Sequence, residues 1–230
     1  PGVQIADMAG GGMNAAIGIL LALFSREKTG EGQYVDISMT DGMLGLLPVA
    51  LYWKALTGET PRRGDNMLSH RYACYNTYET ADGRHMVVGA VEAKFWKAIC
   101  ERLGLTQFAA HQYDDVRREE IVAVFRDTFR KKTMAQWEEA LADLDLCVSG
   151  IRTADEAMDF PLFREREMFV EAPGAHGHPE TTIGVSVKLS RTPGVVRTAS
   201  VQFGQDTEEI LNELGYSPEQ IANFAETGIT

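Results

Sequence analysis

Apolar residues occupy almost every position of residues 13–24, a pattern that predicts a helix buried on several sides. Arg26, Lys28 and Gly30 follow, and basic residues ahead of a glycine are typical of a helix C-terminus. Residues 33–39 then alternate between polar and apolar types, which predicts a strand. The N-terminal part of the chain is therefore expected to form a helix followed by a strand.

A second apolar run, residues 42–58, predicts a further helix. Thr40 and Asp41 are its predicted caps, because short side chains with oxygen atoms accept hydrogen bonds from the first N–H groups of a helix. Pro48 is expected to kink it, since proline lacks the N–H group that a helix interior uses. Glycine, proline and charged residues concentrate in residues 57–66, which predicts a domain boundary or a long crossing loop.

Two runs of strand-forming residues flank Asp82 and Gly83, whose chemistry suits a tight turn. Together they predict a β-hairpin over residues 75–91. Glu92 follows directly and is expected to open a helix that Gly104 ends. A new structural unit is therefore predicted after the loop.

The remainder of the chain alternates between helical patterns and turn-rich stretches. Apolar residues at helical spacing in residues 116–142 predict two amphipathic helices, divided by a cap at Thr133. Residues 172–184 are rich in glycine and proline and predict a loop. Residues 185–190 predict a short strand, and residues 206–229 predict two short terminal helices.

Composition and charge exclude some classes of partner. The chain has 230 residues, 44% apolar content and a formal charge of −11. We therefore expect a substantial core and no contact with nucleic acid or an anionic membrane surface. The longest apolar run, residues 15–24, is too short to span a bilayer. Cys74, Cys100 and Cys147 are odd in number and widely spaced, which favours buried thiols in a reducing compartment and a cytoplasmic protein.

Three consecutive glycines, Gly10, Gly11 and Gly12, follow Asp7 and allow several interpretations. One is a nicotinamide-binding turn, because the spacing satisfies G-x-G-x-x-A and Asp36 lies where a ribose-binding acid is expected. The residues before the glycines are poor in strand formers, which argues against it. Another interpretation is structural: Asp7 caps the helix that the glycines begin, and the glycines permit tight turning or close packing.

A catalytic interpretation uses the same geometry. A carboxylate at a helix N-terminus faces unpaired N–H groups, and a loop without side chains lets a ligand carbonyl approach them. Asp7 would then lie beside an oxyanion site. Glu92 also has two interpretations, because an acid in the first turn stabilises its helix and can equally converge with Asp7 in a cleft. His176 and His178 lack a third convincing ligand, so we expect no metal site.

Six segments together resemble one known family: IADMAGGGM, REKTGEGQYVDISMTDG, YNTYETADGRHMVVGAVEAKFW, FREREMFVE, SRTPG and ILNELGYSPEQI. In this order they span nearly the whole chain and are similar to the class III CoA-transferases, the CaiB/BaiF family. The AD before the glycines and the VGAVE segment resemble the members that racemise 2-methylacyl-CoA thioesters. Many members share the GAVE helix start, so the members that transfer CoA between carboxylic acids stay an alternative.

The resemblance implies an α/β fold with a Rossmann-like large domain, partial here, and a small α+β domain. It assigns residues 1–57 to the large CoA-binding domain, residues 58–190 to the linker and small domain, and residues 191–230 to a segment returning to the large domain. It also implies a homodimer of two interlocked chains, with acyl-CoA as the substrate and no NAD.

For the site, the resemblance implies two catalytic acids and a glycine loop at the acyl-CoA: Asp7 and Glu92, then Gly10, Gly11, Gly12 and Met13. Asp7 moves the α-proton in a racemase or attacks the thioester in a transferase. Glu92 orients a histidine supplied by an N-terminal stretch that family members carry before the position of Pro1, so no histidine here takes that role. We therefore expect the chain to be either a fragment of a longer protein or a protein whose disordered start is missing from this sequence. An inactive fragment is the second alternative to the racemase function.

Overall fold

The structure is a computed structural model that describes residues 2–230. Helices make up the N-terminal part of the chain. A π-helical segment, Ala6–Met13, continues without a break into α1, Asn14–Thr29. After an irregular stretch come α2, Met39–Gly45, and α3, Pro48–Thr57. The predicted C-terminus of the first helix is confirmed, because Gly30 ends α1 in the left-handed conformation with φ at 76°.

The boundaries of α2 and α3 differ from the prediction. Ser38 caps α2 in place of Thr40 or Asp41, and its hydroxyl accepts a hydrogen bond from the Asp41 N–H at 3.2 Å. Pro48 does not kink a continuous helix. It is the first residue of α3, a position where the missing N–H removes no helical hydrogen bond. The single predicted helix is therefore two short helices.

The predicted strand at residues 33–39 is wrong. Residues 33–38 form neither helix nor strand, and Met39 already belongs to α2. A strand needs a hydrogen-bonding partner, and no segment among residues 2–230 pairs with this one. Its apolar side chains pack on α1 instead, since a Cβ at Gly18 would lie 3.0 Å from Val35 Cγ1 and 3.1 Å from Ile37 Cδ1.

An antiparallel sheet and three helices form the core of the first of two units, the unit that ends at Gly150. Its elements are β1 (Tyr75–Glu79), β2 (His85–Gly89), α4 (Ala93–Arg102), α5 (Arg118–Phe129), α6 (Met134–Leu141) and β3 (Val148–Gly150). The strands lie in the order β1, β2, β3. This confirms the predicted hairpin, the helix after Glu92 and the helix pair divided at Thr133, which forms a capping box with Gln136.

Stacked aromatic rings fill the space between this sheet and its helices. Trp96 stacks on Phe125 with ring centroids 5.1 Å apart, and Tyr78 stacks on Phe129 at 5.0 Å. None of the four is more than 1% exposed. Burying each large side chain stabilises the fold by roughly 1.5–3 kcal/mol. The core therefore fixes the end of β2 and the start of α4, where Glu92 lies.

The second unit, Ile151–Thr230, combines short helices with one hairpin. Its elements are α7 (Ala154–Met158), α8 (Pro161–Glu165), β4 (Phe169–Pro173), β5 (Pro179–Ile183), α9 (Thr207–Glu213) and α10 (Pro218–Glu226). The two terminal helices are confirmed. The predicted loop at residues 172–184 is wrong, because most of it belongs to the β4–β5 hairpin. The predicted strand at residues 185–190 is also wrong, since no described segment pairs with it.

Contrary to the prediction, α1 contains no buried residue. Large apolar side chains such as Leu20, Leu21 and Phe24 are more than 60% exposed. The helical stretch Ala6–Thr29 is 24 residues long with a hydropathy of 1.6, so by length and composition alone it could cross a membrane. The core helix of a soluble protein and a signal sequence also meet these criteria, so they do not by themselves identify a membrane span. The mixed helix-and-sheet content is as predicted, and the domain ranges 1–57, 58–190 and 191–230 stay a prediction.

A network of charges ties the loop after α3 to the start of α5. Asp65 Oδ1 accepts hydrogen bonds from Arg71 at 2.8 Å and from Arg118 at 3.0 Å. Arg71 also contacts Asp115 at 2.8 Å. Burial opposes ionisation of Asp65, but the hydrogen bonds and charges of the two arginines outweigh it and hold its pKa below the usual value.

Replacing Asp65 by Asn is therefore expected to lower stability in a pH-dependent way. A carboxylate with a lowered folded-state pKa stabilises the protein above its unfolded pKa of about 4, and this contribution is lost as the pH falls through the lower folded value. The difference in urea midpoint between wild type and Asp65→Asn should thus be largest near neutral pH and should shrink below about pH 4. A difference that stays constant from neutral pH to pH 2 would contradict this account.

Candidate active site

Asp7 lies in the first turn of the π-helical segment and its side chain is exposed. Ile5 occupies the cap position and makes no side-chain cap bond, so the interpretation of Asp7 as the cap is wrong. Its negative charge still suits the positive end of the helix. In the part of the chain that the structure describes, no hydrogen bond or ion pair engages the Asp7 carboxylate. The carboxylate is therefore open to a ligand.

The π-helical geometry changes where backbone donors are found. In a π-helix each N–H bonds to the carbonyl five residues earlier, so the N–H groups of Gly11, Gly12 and Met13 are paired inside the segment. These three N–H groups are therefore not free to bind an oxyanion. The first turn of a helix is where N–H groups lack helical partners, and this is the turn that contains Asp7. In it the Met8 N–H donates to the Gln4 carbonyl oxygen at 2.9 Å. π-Helical segments are rare and frequently coincide with functional sites.

Close packing explains two of the three glycines. Gly10 is buried, and a Cβ at this position would lie 2.9 Å from the Met39 carbonyl oxygen. A Cβ at Gly11 would lie 3.1 Å from Met39 Cγ. On the opposing helix, a Cβ at Gly42 would lie 2.6 Å from Gly10 Cα. The glycines thus let α2 cross the π-helical segment at backbone contact, while Gly12 and Met13 stay exposed.

The same placement contradicts the nicotinamide-binding interpretation. A dinucleotide fingerprint needs its glycines in a sharp turn between a strand and a helix. Here all three glycines lie within one helical stretch, and residues 2–5 before it contain no strand. The G-x-G-x-x-A spacing in this chain therefore lies inside a helical stretch and lacks the turn that the fingerprint requires.

A cavity of about 520 Å³ opens between α1 and α2, with Ala9 of the π-helical segment in its lining. Its polar lining includes Asn14, Asp36, Ser38 and Asp41, and none of the described residues that line it is basic. Asn14 Nδ2 donates to the Gly10 carbonyl oxygen at 3.1 Å, which fixes that side chain against the π-helical segment. Two carboxylates without a cation would repel the phosphates of CoA, so this cavity does not suit them.

Glu92 is the N-cap residue of α4, with φ −74° and ψ 138°, and it is exposed. Its side chain makes no cap hydrogen bond. Sequence reasoning missed two neighbours, Gln112 and Tyr113, which bond to the backbone directly before it. Their positions on a loop carried no periodic signal. The partial burial of Tyr113, together with Cys74 and the charge of Glu92, raises the pKa of the tyrosine to about 12.

Each predicted site residue thus has a defined place. The structure brings Asp7 together with Gly10, Gly11, Gly12 and Met13 in one helical segment. Glu92 lies on a separate element, and no hydrogen bond or ion pair within residues 2–230 links it to Asp7. Their convergence in one cleft stays a prediction. His176 and His178 lie at the turn between β4 and β5, and no group of three metal-ligating side chains occurs among the described residues.

Comparison with known proteins identifies the family. The profile of CoA-transferase family III matches residues 1–207. Alpha-methylacyl-CoA racemase of Homo sapiens is 34% identical over 224 residues, which cover 94% of this chain and 56% of that protein. Succinyl-CoA:mesaconate CoA-transferase of Haloarcula marismortui is 31% identical over 210 residues, covering 87% of this chain and 51% of that protein. The chain therefore belongs to CoA-transferase family III.

The fold agrees with solved structures. A CaiB/BaiF family protein from Brucella suis superimposes with a TM-score of 0.71 at 21% identity, over 93% of this chain and 56% of that one. The predicted fold class is confirmed. The chain spans about half the length of the curated relatives it matches, 56% of the racemase and 51% of the transferase. Its relatives include both racemases and CoA-transferases.

Proposed function

We propose that this chain belongs to an enzyme that racemises 2-methylacyl-CoA thioesters, with Asp7 as one of the two groups that exchange the α-proton. The observation that carries the proposal is the state of Asp7: an exposed carboxylate in the first turn of a π-helical segment, without a protein partner among the described residues. An acid that neither caps its helix nor pairs with a cation is available for proton transfer.

The relatives support racemisation over CoA transfer. Two racemases, from Homo sapiens and Mus musculus, are 34% and 36% identical over 94% of this chain. CoA-transferases that act on succinyl-CoA are 31% and 30% identical over 87% of it. The racemases have the higher identity. Coverage does not separate the two activities, since an acyl-CoA transferase of Fusarium pseudograminearum covers 99% of this chain at 31% identity.

The chemistry requires two groups on opposite faces of the α-carbon. One base removes the α-proton, the electron pair of the C–H bond moves into the thioester carbonyl to give an enolate, and an acid on the other face returns a proton. We assign the first role, for one enantiomer, to Asp7. Glu92 is proposed to orient the second group, a histidine outside this chain. Positioned acid and base groups contribute about 10²–10⁴-fold to rate.

The enolate oxygen needs donors close to the base. We propose that N–H groups in the first turn of the π-helical segment supply them, with exposed Gly12 and Met13 beside the acyl-CoA. A well-placed donor of this kind is worth about 3 kcal/mol in the transition state. We also propose, on the family resemblance, that the enzyme is an interlocked homodimer. From the odd number and wide spacing of its cysteines we propose that it is cytoplasmic.

A CoA-transferase is the second candidate, because relatives of that activity cover most of the chain. Asp7 would then attack the acyl-CoA carbonyl and displace CoA thiolate, giving a mixed anhydride on its carboxylate. The thiolate would attack the Asp7 carbonyl of that anhydride, release the carboxylic acid and leave an enzyme thioester. Unlike racemisation, this route makes Asp7 covalently modified.

Trapping with hydroxylamine separates the two candidates. An acylated Asp7 reacts with hydroxylamine to form a stable hydroxamate, which peptide mass spectrometry detects. We expect no hydroxamate at Asp7 when the enzyme turns over a 2-methylacyl-CoA, because proton transfer leaves the carboxylate unmodified. A hydroxamate at Asp7, formed only in the presence of acyl-CoA, would refute the racemase proposal and support the transferase.

A further inference from the structure

Two adjacent side chains hold the backbone directly before Glu92. Gln112 Nε2 donates to the carbonyl oxygens of Ala90 at 3.0 Å and Val91 at 2.7 Å. The Tyr113 hydroxyl donates to the same Val91 oxygen at 2.7 Å. Gln112 Nε2 also lies 3.3 Å from the Tyr113 hydroxyl oxygen, so the two side chains are in direct contact.

The two carbonyls depend on these donors. β2 ends at Gly89 and α4 begins at Ala93, so Ala90 and Val91 have neither ladder nor helical partners for their carbonyl groups. Ala90 is fully buried, and Val91 is half-buried. A buried carbonyl without a donor is unfavourable, because it has lost its hydrogen bonds to water. Gln112 and Tyr113 satisfy both groups at once.

Glu92 is consequently fixed on both sides while its carboxylate stays free. Downstream, its carbonyl oxygen accepts hydrogen bonds from the N–H groups of Phe95 at 3.0 Å and Trp96 at 3.1 Å, which start α4. Upstream, the preceding peptide is held by Gln112 and Tyr113. The side chain at this N-cap makes no cap bond and is exposed. The backbone that carries this acid is thus fixed, while the helix does not use its side chain.

The loop that carries the two donors is itself anchored. Trp96 Nε1 donates to the Phe108 carbonyl oxygen at 3.1 Å, which ties the loop before Gln112 to α4. The ring of Tyr113 packs edge-on against Tyr72 with centroids 5.2 Å apart. Partial burial, first of all, raises the pKa of Tyr113 to about 12, so its hydroxyl stays a donor throughout the neutral range.

We propose that Gln112 and Tyr113 are positioning residues for the reaction: they set the Val91–Glu92 peptide and thereby the direction of the Glu92 carboxylate. This inference rests on the proposed function, because it assumes that Glu92 orients the second proton-transfer group. Neither residue is expected to touch the substrate. Their effect should therefore depend on Glu92.

A double-mutant cycle on the intact gene product tests this dependence. Tyr113→Phe removes the hydroxyl and keeps the ring packing, and kcat for α-proton exchange should fall about 2- to 10-fold, the loss expected for one hydrogen bond. KM for the 2-methylacyl-CoA should change little. Tyr216→Phe is the matched control, since Tyr216 is 40% exposed against 42% for Tyr113 and also packs edge-on against a ring.

In the Glu92→Gln background, Tyr113→Phe should cause no further loss, because a residue that acts through Glu92 has nothing left to position. Gln112→Leu should behave in the same way and replaces Tyr113→Phe if that variant unfolds. Additive losses, or a loss no larger than in Tyr216→Phe, would overturn the inference. So would full exchange activity in Glu92→Gln. Absence of exchange in the wild-type enzyme would instead refute the proposed function itself.

Discussion

Asp7→Asn is expected to lower the rate of α-proton exchange by about 10²–10⁴-fold, the contribution of a positioned acid or base. Asparagine keeps the size and the hydrogen-bonding oxygen but cannot take up the proton. Because the Asp7 side chain is exposed and holds no partner among residues 2–230, its replacement should leave stability nearly unchanged. The two effects, a large loss of rate and a small change in unfolding midpoint, should therefore separate cleanly.

Glu27→Gln is a suitable control for Asp7→Asn. Glu27 is an exposed acid on α1, in the same helical stretch, and it is not part of the candidate site. Proton exchange should be measured by NMR in D₂O for both variants, alongside urea unfolding. If Glu27→Gln and Asp7→Asn reduced the exchange rate equally, the effect would come from the overall charge of the helix and not from a base at Asp7.

Gly42→Ala is expected to destabilise the protein by about 1–3 kcal/mol, the usual cost of overpacking. The added methyl group would lie 2.6 Å from both Gly10 Cα and the Gly10 carbonyl oxygen, and 2.8 Å from Asn14 Nδ2. Two of these three atoms belong to the backbone, so α2 has to move away from the π-helical segment. The segment that carries Asp7 would lose its support, and exchange activity should fall as well.

The same helix offers a matched control for Gly42→Ala. Gly45 is the last residue of α2, and a Cβ there meets no atom within 4 Å. Gly45→Ala should therefore be neutral or stabilising by up to about 1 kcal/mol, since alanine favours the helix over glycine. Urea unfolding of both variants measures the difference. Equal midpoints would show that backbone contact between α2 and the π-helical segment contributes nothing to stability.

Local signals made part of this fold predictable from sequence. The C-terminus of α1 at Gly30, the turn at Gly83 and the capping box at Thr133 depend on residues close together in the chain. The strand at residues 33–39 failed because pairing depends on a distant partner, which its alternation cannot report. The β4–β5 hairpin was missed for the opposite reason, since its prolines and glycines conceal a real pairing.

In the candidate site, too, residue types were predictable from the sequence, but contacts between distant residues were not. Asp7 and Glu92 were found from residue type and family resemblance, and the structure gives each an exposed carboxylate with no hydrogen-bond or ion-pair partner among residues 2–230. Gly10 and Gly11 are needed because α2 crosses the π-helical segment at these positions, and only the three-dimensional structure reveals this crossing. Gln112 and Tyr113 contact a backbone more than 20 residues away in sequence, and no local pattern predicts such contacts.

Loss of the α-proton of a 2-methylacyl-CoA in D₂O, followed by NMR without any added carboxylic acid, tests the central claim most directly. The account predicts that the intact gene product exchanges this proton for deuterium and that Asp7→Asn does not. No exchange by the wild-type protein, together with transfer of CoA to a carboxylic acid when one is added, would contradict it.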